Sequence, residues 1–248
     1  MPRPDENPLA RIVEKLGECA RIPDKAIEAI LQMPYVDKQL HPGSFLVREG
    51  AFANKCGVLA SGLLVYQKTS RNGDRQILSI KMPGDMLGLE SLYLDTPDYN
   101  IQALTRSKTV IVQSDLLKSI SDEFVVVRHA ISRIMLTEAS ILRELILNIG
   151  RRDARARLAH FLCEFAVRTG GTDKINNRSF ELTLTQEQLG DALGLTAVHI
   201  NRTLQLLTRD GLIARDGKNI RFVDWNRLQS IADFSTRYLH SREVRLDV

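Results

Sequence analysis

The sequence predicts an α+β chain in three parts: a short-stranded N-terminal barrel, a long helix, and a C-terminal winged helix-turn-helix. Three observations carry this reading. Short, partly β-branched runs between Ser44 and Val112 are divided by turn signals at His41-Pro42-Gly43, Ser61-Gly62, Asn72-Gly73 and Pro83-Gly84. From about Ser121 to Asn148 there is neither Pro nor Gly, and apolar residues recur at three and four. From Leu184 to Ile213, two apolar stripes at helical spacing flank Gly194.

The chain opens with two short helical patterns between residues 8 and 35, with Pro8 and Pro23 suited to first-turn positions. Strands are then expected at Ser44–Arg48, Gly57–Ala60, Leu63–Lys68, Gln76–Lys81, Ile101–Thr105 and Thr109–Val112. Strands of this length and spacing suit a small sandwich or double-Greek-key barrel over roughly residues 40 to 115.

The long helix carries two overlapping seams. One runs Val127, Ile131, Ile134, Ile141 and Leu145; the other runs Ile131, Met135, Leu142, Leu145 and Ile149. Two seams exceed what one barrel face needs, so one is expected to meet a second copy of the helix. Its expected residues are Val127, Ile131, Ile134, Met135, Ile141, Leu142 and Leu145. Glu138 falls on or beside the seams and would be costly there without a partner.

Ile149-Gly150-Arg151-Arg152-Asp153 interrupts the pattern and reads as a hinge. The expected division is residues 1–120, sensor barrel with N-terminal helices; 121–149, dimerisation helix; and 150–248, DNA-binding domain. Asp153 can cap a helix from Ala154 to Arg168, with Leu158, Leu162 and Phe165 inward. A loop over Thr169–Arg178 and a strand over Ser179–Leu184 follow. Past the two-helix motif, Leu212–Val223 reads as a hairpin turning at Asp216-Gly217. Asp224 can cap a last helix from Trp225 to about Tyr238.

Within the two-helix motif, Thr185 and Gln188 have capping-box spacing, and Thr196 offers a second N-cap. Ile200 and Leu204 face inward, leaving Ala197, Val198, His199, Asn201, Arg202 and Gln205 on the opposite faces. Arg grips guanine O6 and N7 with two bonds, and Asn or Gln does the same for adenine. These residues, with Thr185, Gln186, Thr196 and the hairpin's Lys218, form the expected DNA-binding set. Arg215 and Arg221 of the hairpin suit phosphates.

Composition agrees with a regulator of this kind. Of 248 residues, 44% are hydrophobic and 26% charged, as in a soluble globular protein with a sizeable core. No run approaches the roughly 18 apolar residues of a membrane span. The opening MPRPDENPLA lacks an apolar core like that of a secretory signal. Three widely spaced cysteines argue for a reducing compartment, so a cytoplasmic protein is expected. Residues 151–248 hold 16 Lys+Arg against 12 Asp+Glu, which accounts for the whole net charge of +4. The excess lies where phosphate neutralisation would place it.

The order barrel, long helix, hinge and winged helix-turn-helix resembles the Crp/Fnr family of bacterial transcription regulators. The motifs that carry the resemblance are VREG at 47–50, LASGLLVY at 59–66, GDRQILSIKMPGDMLGLESL at 73–92 and GRRDARARLAHFL at 150–162, with the helix-turn-helix. The resemblance implies a cyclic-nucleotide-binding-type, cupin-like barrel that senses a signal. It also implies a homodimer on a near-palindromic site and activation through RNA polymerase contact. The best-known members carry a glutamate two residues after the helix-opening Ser/Thr; Val198 stands there in this chain, while the family's arginine is present as Arg202.

The barrel's ligand is less legible. The family's founding member holds a cyclic nucleotide with an Arg-Ser pair, and the corresponding residues here are about Tyr99-Asn100. From Met82 to Thr105 there is no Lys or Arg, against Asp85, Glu90, Asp95 and Asp98, so an anionic phosphate is disfavoured. Positions matching the base-contacting hydroxyls are Leu142 and Arg143. The residues expected around any effector are Leu89, Glu90, Ser91, Tyr99, Asn100 and Leu142. An iron–sulfur cluster needs four cysteine ligands and only Cys19, Cys56 and Cys163 exist. Haem through His129, His160 or Met135 stays open, as does a redox switch at Cys56 or Cys163. No cofactor is identified. A metal enzyme on a cupin-type barrel would need several converging ligands, and His41 is the barrel's single histidine, so an enzyme is not expected. The remaining alternative is a cyclic-nucleotide-type regulatory or protein-binding module without DNA binding, which would have no use for Thr196–Gln205 and a basic wing.

Overall fold

A computed structural model describes residues 7–170 and 179–240. The expected loop at Thr169–Arg178 lies largely outside the described residues.

Two short helices, α1 (Ala10–Cys19) and α2 (Asp24–Leu31), lead into eight strands. These are β1 (Tyr35–Leu40), β2 (Phe45–Val47), β3 (Lys55–Ser61), β4 (Leu64–Thr69), β5 (Arg75–Lys81), β6 (Met86–Leu87), β7 (Asn100–Ala103) and β8 (Ser107–Gln113). They form two four-stranded sheets, ordered β1-β8-β3-β6 and β2-β7-β4-β5. Strand β1 has no counterpart in the sequence reading. Its first five residues are exposed and only Leu40 is buried, so it lacks the alternation that marks a half-buried strand. Its place is fixed by pairing with β8, from Tyr35 opposite Val112 to Leu40 opposite Ser107.

The long helix starts later than expected. Helix α3 (Ser114–Glu123) ends at Phe124, and α4 runs from Val125 to Arg151. Neither Pro nor Gly makes this corner. Phe124 takes an extended conformation, its N–H donates to the Ile120 carbonyl, and its own carbonyl receives Val127 N and Arg128 N. The Arg128 guanidinium covers the Ser121 and Asp122 carbonyls left at the end of α3. The corner lets Leu117 and Ile120 of α3 and Val127, Ala130, Ile131 and Ile134 of α4 enter one core. Leu9, Ile12 and Leu16 of the N-terminal segment and Val58, Met86, Val110 and Val112 of the sheet complete it.

Helix α5 (Ala154–Gly170) begins as expected, with Asp153 accepting from Ala156 N at 2.8 Å. Then come β9 (Ser179–Glu181), α6 (Gln186–Leu193), α7 (Ala197–Arg209), β10 (Ile213–Asp216), β11 (Asn219–Phe222) and α8 (Trp225–Ala232). Strands β10 and β11 pair in a small sheet with β9. Asp216 faces Asn219, so Gly217 and Lys218, one residue later than expected, make the turn. The last helix is shorter than expected because Asp233 turns left-handed at φ 47°, and a 3-10 turn, Thr236–Leu239, follows.

The chain divides into two compact units. One comprises residues 1–68 and 79–139; the other comprises 69–78 and 140–248. Helix α4 is thus shared, and the turn between β4 and β5 goes with the second unit.

Candidate nucleic-acid interface

Helix α6 is started by a complete capping box. Thr185 Oγ1 accepts from Gln188 N at 3.1 Å, and Gln188 Oε1 accepts from Thr185 N at 2.9 Å. Gly194 closes the helix at φ 62°, a conformation that costs a side chain dearly. Gly190 is a second requirement that the sequence reading passed over. A Cβ there would lie 2.4 Å from the Leu195 carbonyl oxygen, so the turn packs against bare backbone. An isolated Gly inside a helical pattern was the available signal.

Helix α7 starts with Thr196 Oγ1 accepting from His199 N at 3.2 Å. Ile200, Thr203, Leu204 and Leu207 are buried, and Thr203 satisfies its hydroxyl by donating to the His199 carbonyl at 2.7 Å. The opposite face is open. Thr196, Ala197, Val198, His199, Arg202 and Gln205 are exposed, Asn201 is half-buried, and Val198 is 59% exposed. Thr185 is exposed and Gln186 half-buried at the start of α6. Lys218 is exposed at the hairpin tip, flanked by exposed Arg215 and Arg221. Arg215 is partly committed, since its Nε donates to the Gly217 carbonyl at 3.1 Å.

Not all the basic excess of this half is free for phosphate. Arg157 donates to the Leu193 carbonyl at 2.8 Å and the Ile149 carbonyl at 2.8 Å, gripping the ends of α6 and α4 together. Arg155 pairs with Asp210, the residue that ends α7. Arg152 holds Glu144 at 2.7 Å and Asp233 at 3.2 Å. Arg157 and Arg155 thereby tie α6 and α7 to their neighbours, while Arg202, Lys218 and Arg221 stay exposed. Two further side chains hold α6: Arg75 Nε donates to Asp191 at 2.7 Å and Gln76 Nε2 to the Ala192 carbonyl at 3.3 Å.

The expected self-association seam needs revision. Val127, Ile131 and Ile134 are buried in the barrel's own core and present nothing to a partner. Met135, Ile141 and Leu145 are half-buried, and Leu142 is 39% exposed. The open apolar residues of α4 are Val125 at its start and then Leu136, Leu142, Ile146 (66% exposed) and Leu147. The sequence pattern ran the core-facing and open faces together because both repeat at three and four.

All but Leu142 of the residues expected around an effector are already engaged. Tyr99 stacks on Tyr66 with ring centroids 4.6 Å apart, and its hydroxyl donates to Glu90 at 2.9 Å. Ser91 Oγ bonds the Gly88 and Lys55 carbonyls, Asn100 Oδ1 accepts from Glu49 N, and Leu89 is buried. Leu142 belongs to the second unit. The sequence reading missed Lys81, one residue ahead of the stretch searched for a cation. It is buried, pairs with Glu138, and lies 4.7 Å from the Tyr66 ring centroid. Glu138 thereby has the partner its position demanded.

Neither candidate thiol presents a thiolate. Burial pushes Cys56 up to about 12, and burial raises Cys163 further. His160 is enclosed by Phe234 and Tyr238, and burial together with Arg152 depresses its pKa to about 3, against a smaller opposing pull from Asp233. Glu144, 3.2 Å from its Nε2, is already spent on Arg152. His129 is exposed and Met135 half-buried.

Comparison with known proteins agrees with this geometry. Residues 156–231 match the Crp-like helix-turn-helix domain model, and residues 37–124 match the cyclic nucleotide-binding domain model. The chain is 30% identical over 188 residues to an anaerobic regulatory protein of Pasteurella multocida, covering 75% of this chain and 68% of that one. It is 29% identical over 195 residues to the electron transport regulator A of Shewanella oneidensis, covering 79% and 78%. Among solved structures, FixK2 of Bradyrhizobium japonicum superposes with a TM-score of 0.75 at 22% identity, over 82% of this chain and all of that one. No helix among the described residues is long and apolar enough to cross a membrane. The chain belongs to the Crp/Fnr family, and it is a DNA-binding transcription regulator, not an enzyme.

Proposed function

We propose that this regulator works in the cytoplasm as a homodimer on a near-palindromic promoter site, and that it activates transcription by contact with RNA polymerase. The observation that carries the dimer is the open apolar surface of α4, where Leu142 and Ile146 lie four apart and Leu136 and Leu147 eleven apart. Apolar side chains this exposed on one helix are the mark of an unfilled partner face. Paired copies would set two α7 helices into successive major grooves, about 34 Å apart. Arg202, Asn201 and Gln205 would read base edges, with Val198 against a thymine methyl. Lys218, Arg215 and Arg221 would hold phosphates.

The barrel is read as a signal-coupled domain without a resident cofactor. Tyr99 and Asn100 are bonded to neighbours where a cyclic phosphate would need a cation. The rings of Phe234 and Tyr238 cover His160, which suits packing better than haem ligation. Light scattering of the purified protein with and without a selected duplex tests the proposal. A dimer that binds a symmetric duplex as one complex supports it, and a monomer on DNA refutes it.

A further inference from the structure

The geometry points to an anion-receiving site at Lys81 that the chain fills with its own Glu138 carboxylate, an internal ligand tying strand β5 to helix α4. Lys81 is 2% exposed, and Glu138 is the one carboxylate paired with it among the described residues. A buried ammonium without a counter-charge is strongly unfavourable, so the site demands an anion. The Tyr66 ring lies 4.7 Å from Nζ and presents its π face, and Tyr66 is fixed in turn by the Tyr99 stack and by Gly88 N donating to its hydroxyl at 2.8 Å. Glu90 is held by the Tyr99 hydroxyl, leaving the Lys81 place to Glu138.

The two partners differ in exposure. The Lys81 side chain is 3% exposed and that of Glu138 is 29% exposed, so the carboxylate enters from the solvent side. Removing it would leave a cationic socket of one carboxylate's size, open to water and to small carboxylate anions. The ligand class the site takes is therefore a carboxylate, supplied here in cis from α4. The part of the inference that concerns DNA rests on the regulator reading; the part that concerns the socket does not.

Chemical rescue tests it. Full-length wild type, Glu138→Ala and the double variant Lys81→Met/Glu138→Ala are melted while sodium acetate replaces sodium chloride at fixed ionic strength. Glu138→Ala is expected to melt lower than wild type and to be raised saturably by acetate, while wild type and the double variant do not respond. Glu138→Gln, which keeps the side chain's shape, should fold in any case, melt lower than wild type and ignore acetate. Each variant's affinity for the selected duplex is then measured. Glu138→Ala should bind roughly ten-fold or more weakly, with acetate restoring it. Equal acetate response in all three proteins, or wild-type melting of both Glu138 variants, would overturn the internal ligand. Failure of wild type to bind any duplex would sink the DNA reading while the melting results still decide the socket.

Discussion

The Arg155 guanidinium pairs with the carboxylate of Asp210, the residue that closes the recognition helix. The charge of Arg155 is thereby committed to the end of α7. Arg155→Ala should lower stability by about 1 kcal/mol, a modest figure because the pair is partly solvated. It should leave the salt dependence of DNA binding unchanged. Lys218→Ala should do the reverse, reducing the slope of log K against log salt by about one with little change in melting. Binding titrations at several salt concentrations separate the two.

The proposed function puts base reading on α7. Arg202→Ala should cost about 1–3 kcal/mol of specific binding and relax one base position of each half-site. Val198→Glu should shift the preferred half-site toward a cytosine, whose N4 amino group a carboxylate accepts from. Selection from random duplexes by wild type and both variants checks this. An unchanged half-site in Val198→Glu would show that residue 198 faces away from the bases.

His160 makes stability depend on pH in a predictable direction. Its pKa is about 3 in the fold, below its ordinary 6.5, so the unfolded chain binds more protons between those values. The stability that goes with a neutral imidazole is complete above about pH 6.5 and is lost as pH falls toward 3. Each pH unit in that window is worth about 1.4 kcal/mol at most. His160→Phe should flatten the melting-temperature profile between pH 6.5 and 4, whatever it does to stability at pH 7. An unflattened profile would assign the acid sensitivity to the carboxylates.

Much of the DNA-binding motif was legible because its determinants are local. Thr185, Gln188, Gly194 and Thr196 act on neighbours within four residues, and each does what its type and spacing announce. The corner at Phe124 was not legible, since no breaker residue marks it and the reason lies in packing against distant strands. The α4 seam was half legible. Spacing finds apolar faces but cannot say which one the chain buries itself, and Val127, Ile131 and Ile134 went to the core. The Lys81–Glu138 pair joins positions 57 residues apart, a separation that sequence pattern does not reach.

The revised seam makes its own prediction. Ile146→Glu should convert a dimer to monomers and weaken binding to a two-half-site duplex far more than to a single half-site. Val127→Glu should instead unfold the barrel, because that residue is fully buried. Light scattering and thermal unfolding of the two variants tell association from core damage.

Recognition of DNA by a dimer is tested most directly by selection from random duplex DNA with the full-length protein, with the mass of the selected complex measured. The expected result is a dimer on a near-palindrome whose half-sites lie about one helical turn apart. A monomer on an unsymmetrical site, or no enriched sequence at all, would contradict it.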